Sequence, residues 1–141
     1  MDLTIKIEDT ILNIRVAGLV KTPNGYLFEK SPDGYIYVVG GRIKVGETSQ
    51  EAITREVMEE IEMNVKDLTL RSVIENFYIS PAGKVQEICF VYEVEEIFTG
   101  IIPPSFIEVS IEDINNYDIK PKQIVDIIKN EEKFFKHIIT K

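Results

Sequence analysis

The chain has 141 residues, 44% of them hydrophobic, and this length and composition suit one compact domain with a substantial core. Its net charge of −8 argues against binding to a nucleic acid polymer, because such binding depends on Lys and Arg neutralising phosphates. The sequence has no apolar run of transmembrane length and begins without a secretion pattern, so we expect no membrane association and a cytoplasmic location.

The first part of the chain predicts strands. Alternation of apolar and polar residues over 3–7 predicts an edge strand. The β-branched segment 11–20 precedes a turn signal at 23–25, after which an apolar run resumes at 26–28, and this order predicts a hairpin. After a second turn, residues 35–39 predict a short strand that leads into a pair of glycines.

A helix is predicted to begin near Ser49. Thr48 is a favourable N-cap residue, and Glu51 three positions later completes a capping box. Two adjoining stripes follow at about 100° per residue, an apolar one of Ile53, Val57 and Ile61 and an acidic one of Glu56, Glu59 and Glu60. Like charges at these spacings destabilise an isolated helix, so the three glutamates are expected to bind a divalent cation.

The ligand types in this region favour a hard metal. Carboxylates without His or Cys suit Mg²⁺ or Mn²⁺, and Mg²⁺ usually joins protein carboxylates to substrate phosphates. A phosphate-containing substrate is therefore expected. The Gly40-Gly41 pair lets the backbone approach a ligand closely, and a carbonyl of this loop could contact the metal. Arg55 lies four residues from both Glu51 and Glu59 and is expected to orient carboxylates.

Later segments add strands and helices. Residues 69–78 and 86–94 predict two strands joined by a turn, and 106–109 a short one. Ser110 is predicted to cap a short helix, and a longer helix follows with an apolar face of Ile124, Ile127 and Ile128. Strands flanked by helices predict a layered α/β fold in a single domain, residues 1–141.

The glycine loop and the acidic helix resemble the signature of the Nudix hydrolase family. That signature is a glycine, five residues, a glutamate, seven residues, then Arg-Glu-aliphatic-x-Glu-Glu-x-Gly-aliphatic. The matching residues are Gly41, Glu47, Arg55, Glu56, Val57, Glu59, Glu60 and Met63. Glu62 replaces the last glycine, which normally ends the helix, so Asn64 is expected to adopt the left-handed cap conformation instead.

The resemblance implies an α-β-α sandwich with a mixed sheet and a Mg²⁺-dependent hydrolase of nucleotide anhydrides. The residues that it implies as metal ligands are Gly40, through its carbonyl, Glu56, Glu59 and Glu60. Arg55 and Glu47 are implied to brace the loop against the helix. The general base in the family is either a helix glutamate, here Glu56, which we favour, or a later one, for which the candidates are Glu87, Glu95 and Glu96.

Substrate contacts outside the helix are predicted from isolated polar and aromatic residues. Arg15 could meet a phosphate or a base, and Phe77 and Tyr78 could stack on a base. Glu87 and Asn76 interrupt apolar stretches and are expected to face either a polar cleft or solvent. The predicted substrate-binding set is Arg15, Gly41, Phe77 and Glu87. An ion pair for Arg15 and core positions for the aromatics are the competing interpretations.

The sequence predicts no catalytic role for Cys89, for His137 or for the C-terminal tail. Cys89, between apolar neighbours, is expected to be an inert core thiol, and His137 to have a surface or packing role. The apolar tail 134–139 could cover the core or a partner subunit, so a homodimer is open.

A small nucleotide is the expected substrate. Nucleoside triphosphates, including oxidised ones, come first, followed by ADP-ribose, nucleotide sugars and dinucleoside polyphosphates. The alternative function is a non-catalytic nucleotide-binding sensor with the same fold.

Overall fold

The computed structural model describes residues 1–130 and 133–141. Within these residues it has nine strands, two α-helices and one short 3₁₀ helix. The strands are β1 (Thr4–Ile7), β2 (Thr10–Thr22), β3 (Gly25–Lys30), β4 (Ile36–Arg42), β5 (Leu68–Ser80), β6 (Gly83–Val94), β7 (Phe106–Val109), β8 (Ile119–Lys120) and β9 (Lys136–Thr140). The helices are α1 (Ser49–Ile61) and α2 (Gln123–Lys129), and the 3₁₀ helix is Ile114–Asn116.

The strands form one mixed sheet. Its order is β7-β3-β4-β2-β6-β5-β9, with β1 beside β2 and β8 beside β4. The central strand β2 pairs antiparallel with β4 and parallel with β6, while β5 and β6 form a long antiparallel hairpin. The predicted hairpins and the mixed sheet are confirmed, and the strands extend one to three residues beyond most predicted ends.

The helices lie on opposite faces of the sheet and define two cores. Helix α1 packs on a group that includes Val16, Val39 and Tyr92, whereas α2 packs on a group that includes Ala17 and Val38. Adjacent strand residues such as Val16 and Ala17 belong to different cores because side chains alternate between the faces of a sheet. The expected single α/β domain of three layers, helix, sheet and helix, is confirmed.

The end of α1 differs from the prediction for Asn64. Glu62 itself takes the left-handed conformation, with φ 54° and ψ 37°, and its N–H donates to the carbonyl of Met58 at 3.0 Å. Asn64 does not have a positive φ. The chain must reverse immediately after Ile61 so that Met63 can pack against the core beneath α1. The helix therefore ends where the family glycine would stand, although a glutamate occupies that position.

The C-terminal region also departs from expectation. Ser110 caps no α-helix; its Oγ accepts the N–H of Asp113 at 3.3 Å in a turn, and the 3₁₀ helix begins after Asp113. The tail forms β9, parallel to β5, and its Ile138 packs against the core, whereas Phe134 and Phe135 precede the strand and are both exposed. A homodimer through this tail stays a prediction.

Candidate active site

Strand β4 leads through the glycine pair into helix α1, whose start is fixed by its cap. The Thr48 Oγ1 accepts the N–H of Glu51 at 3.1 Å, and the Glu51 carboxylate accepts the N–H of Thr48 at 3.4 Å. This reciprocal pair is the predicted capping box, and it satisfies two amides that the helix leaves free. The first helical residue, Ser49, is held by a 2.6 Å hydrogen bond between its hydroxyl and that of Tyr92 on β6.

An arginine joins this helix to the loop before it. Arg55 donates from Nε and Nη2 to the two oxygens of Glu47, at 2.5 and 2.9 Å, and from Nη2 to the carbonyl of Arg42 at 3.2 Å. Glu47 also accepts the N–H of Lys44 at 2.8 Å. The hydrogen bond from Arg55 lowers the pKa of Glu47 to about 2, so the pair stays ionised at neutral pH.

Two of the three glutamates lie directly against the glycine pair. The Glu56 carboxylate accepts from Nη1 of Arg55 at 2.9 Å and lies so close to Gly41 that a Cβ there would collide with it. Glu60 lies beside Gly40, and one of its oxygens is buried without a hydrogen-bond partner among residues 1–130 and 133–141. At Gly41 only glycine lets the Glu56 carboxylate approach the loop backbone in this way, whereas a Cβ at Gly40 would collide with the Val16 carbonyl on the neighbouring strand.

Burial and neighbouring charge act together on Glu60. Burial is the largest cause that raises its pKa to about 8, and a hydrogen bond with Glu56 and the charge of Glu29 act in the same direction, while a backbone hydrogen bond from Gly40 opposes them. Glu60 therefore holds a proton near neutral pH as long as no cation is close by.

The third glutamate of the helix lies apart. The side chain of Glu59 is 54% exposed and only 3.5 Å from Nη1 of Arg55. Over residues 1–130 and 133–141, no three His, Cys, Asp or Glu side chains are already placed to hold a metal ion. The structure therefore brings Glu56 and Glu60 together and leaves Glu59 turned towards solvent.

The donors at this position nevertheless fit a hard divalent cation. They are oxygens only, and the buried oxygen of Glu60 lacks the partner that such a group normally has. A cation between Glu56 and Glu60 would replace the proton that Glu60 now holds and would balance the charge of both carboxylates.

A cleft of about 990 Å³ lies on the opposite, α2 side of the sheet and reaches Gly40. Of the predicted substrate-binding residues, Arg15 and Glu87 line it, together with Tyr78. Phe77 points to the other face of β5, where its ring centre is 5.2 Å from the Lys141 Nζ. Cleft and carboxylates therefore meet at the glycine pair of β4.

Comparison with known proteins decides the family. A model of the NUDIX domain matches residues 14–130. This chain belongs to the Nudix family. The predicted Nudix hydrolase is confirmed at this level, and with it the family's general reliance on a divalent metal and on small nucleotide substrates. Among the curated proteins, none matches the sequence significantly.

Solved structures share the fold at low sequence identity. The MutT mutator protein of Bacillus halodurans is 14% identical with a TM-score of 0.67, over 89% of this chain and 85% of that protein. The Ap4A hydrolase of C. elegans is 14% identical with a TM-score of 0.60, over 84% and 94%. An ADP-ribose pyrophosphatase of Streptococcus suis is 12% identical with a TM-score of 0.58, over 91% and 98%. At these identities the likeness shows the fold alone.

The later glutamates occupy different places relative to the Nudix helix. Glu95 accepts from the hydroxyl of Thr69 at 2.7 Å, and Glu96 accepts the N–H of Lys66 and that of Asp67. Both therefore hold the segment after α1. Glu87 lies in the cleft, and its Oε2 accepts from the Asn13 amide at 3.3 Å and the Tyr78 hydroxyl at 3.2 Å.

Two further residues have surroundings that limit their chemistry. Cys89 is buried at the cleft floor, and burial raises the pKa of its thiol to about 12, so it remains a neutral thiol at neutral pH. His137 on β9 is 53% exposed, and its Nε2 lies 2.5 Å from the carboxylate of Glu75 on the neighbouring strand. Within the described chain, no helix is long and apolar enough to cross a membrane.

Several residues around the Nudix helix were missed by sequence reasoning. Glu29 on β3 acts on Glu60 through its charge, and it is paired across the sheet with Tyr37. Asn13 holds Glu87, and Arg42 lies directly opposite Arg15. An acidic residue in the otherwise apolar run of β3 was a usable signal for Glu29, whereas the other two contacts depend on strand register.

Proposed function

We propose that this Nudix hydrolase cleaves, with Mg²⁺, a diphosphate linkage in a nucleoside diphosphate derivative. The observation that carries the proposal is the buried, unpartnered oxygen of Glu60 beside Glu56 and Gly40. Such an oxygen is costly unless a ligand satisfies it, and a divalent cation bound to substrate phosphates is the ligand that an oxygen-only site accepts.

The chain supplies groups for holding the metal and for moving a proton. Glu56, Glu59, Glu60 and the Gly40 carbonyl would hold Mg²⁺, which when bound neutralises phosphate charge and lowers the pKa of a coordinated water. Arg55 holds the Glu56 carboxylate at 2.9 Å and so fixes its orientation. We assign to Glu56 the role of general base, taking a proton from the attacking water.

We place the substrate in the cleft on the α2 side of the sheet. Its reactive phosphates would lie at Gly40, where the cleft reaches the strand that carries the metal loop. We rank nucleoside triphosphates first, including oxidised ones, then ADP-ribose, nucleotide sugars and dinucleoside polyphosphates. The fold that is shared with an Ap4A hydrolase and an ADP-ribose pyrophosphatase keeps these latter classes in the panel.

We place this activity in the cytoplasm and treat residues 1–141 as one Nudix domain. The acidic surface, with 24 acidic against 16 basic residues, favours a free nucleotide over a nucleic acid polymer as the partner.

The test is a panel of the four substrate classes, assayed for phosphate, pyrophosphate and nucleoside monophosphate with Mg²⁺, with Mn²⁺ and with EDTA. Metal-dependent turnover of one class, absent in EDTA, is the expected result and identifies the substrate. Tight nucleotide binding with no turnover of any compound would instead support the sensor.

A further inference from the structure

Two arginines face each other across the sheet beside the metal loop. Arg15 on β2 and Arg42 on β4 are directly opposed in the antiparallel register, so their side chains leave the sheet on the same face. Like charges in directly opposed positions destabilise a sheet unless another group balances them. The pair therefore needs an anion.

The described residues supply little negative charge to balance the two arginines. Arg15 is half-buried in the cleft, and within residues 1–130 and 133–141 it forms neither a salt bridge nor a side-chain hydrogen bond. Arg42 has one ion pair, a 3.9 Å contact with Asp2 in which both side chains are 42% exposed. In a chain with eight more acidic than basic residues, a partly buried arginine in the cleft without a carboxylate in contact is unusual.

The nearest acid in the cleft is already engaged. Glu87 is a diagonal neighbour of Arg15, but its Oε2 accepts from Asn13 and from Tyr78. Both arginine charges also reach the Tyr78 hydroxyl, where they partly offset the burial and the charge of Glu87 that together raise its pKa. Arg15 lines the cleft, and Arg42 lies opposite it in the register, at the end of the strand that brings Gly40 to the cleft.

We propose that Arg15 and Arg42 form a phosphate clamp, a subsite that binds the substrate phosphate not held by the metal. Arginine forks match phosphate oxygens in two parallel hydrogen bonds, and two forks side by side suit a diphosphate or triphosphate chain. The inference rests on the proposed function, because it assigns the second phosphate of the same substrate. It also orients that substrate across the sheet, with its phosphates over β4 and β2 and its nucleoside over Glu87 and Asn76.

The nucleoside end then contacts polar atoms that have no other partner in the part of the chain that the structure describes. Glu87 takes both protein donors on Oε2, and Asn76, opposite it in the register, accepts from Thr140 on Oδ1. Glu87 and Asn76 both line the cleft, where the Glu87 Oε1 and the Asn76 Nδ2, unpaired among the described residues, offer one acceptor and one donor.

The experiment measures binding of inorganic pyrophosphate in EDTA by calorimetry, so that neither metal nor turnover contributes. Arg15→Gln and Arg42→Gln should each weaken binding about tenfold, and the double variant should weaken it further. Lys84→Gln, which removes an exposed cation paired with Asp9 on the same sheet, is the matched control and should bind as wild type does.

Melting curves and circular dichroism establish that each variant is folded. If a glutamine variant does not fold, the double variant Arg15→Lys with Arg42→Lys is measured in its place. The lysine pair keeps the charge but not the fork, and it should bind with intermediate affinity. Unchanged affinity in the double variant, or no pyrophosphate binding by wild type, would overturn the clamp. Clamp binding without turnover of any nucleotide would leave the clamp standing and reject the hydrolase proposal.

Discussion

Arg55 binds both carboxylate oxygens of Glu47, with Nε 2.5 Å from Oε1 and Nη2 2.9 Å from Oε2. Through the same guanidinium it also reaches the Glu56 carboxylate and the carbonyl of Arg42. One side chain therefore fixes three parts of the site, namely the loop, the end of β4 and the helix turn that carries Glu56. The position of the loop relative to the glutamates depends on this residue.

Replacing Arg55 by Lys should damage both stability and activity. Lysine keeps the charge but cannot form the fork, so at least one charge-assisted hydrogen bond is lost, at a cost of about 2 kcal/mol. Displacement of the loop should lower kcat about tenfold to a hundredfold. Urea denaturation and steady-state kinetics measure the two effects.

The matched control for this variant is Lys84→Gln. It also removes the contacts of a basic side chain, but that side chain belongs to an exposed ion pair, whose two side chains are 64% and 67% exposed. It should change the free energy of unfolding by less than about 1 kcal/mol. Equal kcat for Arg55→Lys and wild type would show that the loop is held by other contacts.

The Glu47 pair gives a defined pH dependence. Its folded pKa, lowered to about 2 from the ordinary 4.5, means that the folded state binds fewer protons than the unfolded state between these values. The stabilisation is therefore complete above about pH 4.5 and is lost as the pH falls through about 2. The free-energy difference between wild type and Glu47→Gln should be constant from pH 5 to 8 and shrink below 4.5.

A double-mutant comparison isolates the cause of this effect. In an Arg55→Met background, Glu47→Gln should produce a much smaller difference that shrinks with acid, because the largest cause of the lowered pKa is gone and only the N–H and the charge of Lys44 still lower it. An equally pH-dependent difference in that background would assign the effect to another neighbour.

Glu62→Gly should stabilise the protein. Glu62 has φ 54°, a conformation that costs a residue with a Cβ about 1 kcal/mol and glycine almost nothing. The melting temperature should rise by about 3 °C. Asn64→Gly is the control, since Asn64 does not have a positive φ and glycine there should leave the stability unchanged or lower it. A lower melting temperature for Glu62→Gly would mean that the glutamate side chain compensates for its strain.

A buried ion pair anchors α2, whose first residue, Gln123, lines the cleft. Arg71 donates to Glu93 at 2.8 Å and to the carbonyls of Ile127 and Asn130 at 2.8 and 3.2 Å, and the side chains of the pair are 2% exposed. Burial opposes ionisation of Glu93, but Lys133, Lys21 and Arg71 outweigh it and lower its pKa.

Glu93→Gln should cost about 3 kcal/mol because it leaves a buried guanidinium without its counter-charge. The double variant Arg71→Met with Glu93→Leu should cost less than the sum of Arg71→Met and Glu93→Leu, since the buried guanidinium and carboxylate are then both gone, and the partly exposed Lys21 and Lys133 can be solvated. Urea denaturation of the four proteins measures this coupling, and strict additivity would contradict a buried pair.

The parts of the fold that the sequence predicts correctly are those that depend on residues close together in the chain. The capping box of Thr48 and Glu51, the apolar stripe at Ile53 and the hairpin turns all depend on residues within a few positions of each other. The same holds for the loop and glutamates of the Nudix box. Local rules were sufficient for these elements.

The errors come from long-range pairing and from one exception to a rule. Strand β9 forms only because the distant edge of β5 is available, and the pairing of Arg15 with Arg42 requires the register of β2 and β4. Glu62 takes the place that glycine usually fills because the core beneath α1 determines where the helix must stop. Neither register nor core geometry is visible in a single sequence.

The most direct test of the metal site is turnover by Glu60→Gln at saturating Mg²⁺, measured beside wild type and beside Glu62→Gln, an exposed change two residues away. We expect Glu60→Gln to lose at least a hundredfold in kcat while Glu62→Gln keeps the wild-type rate, since Glu60, unlike the exposed Glu62, offers a buried oxygen beside the glycine loop. Wild-type turnover by Glu60→Gln would contradict the metal site on which the proposed function depends.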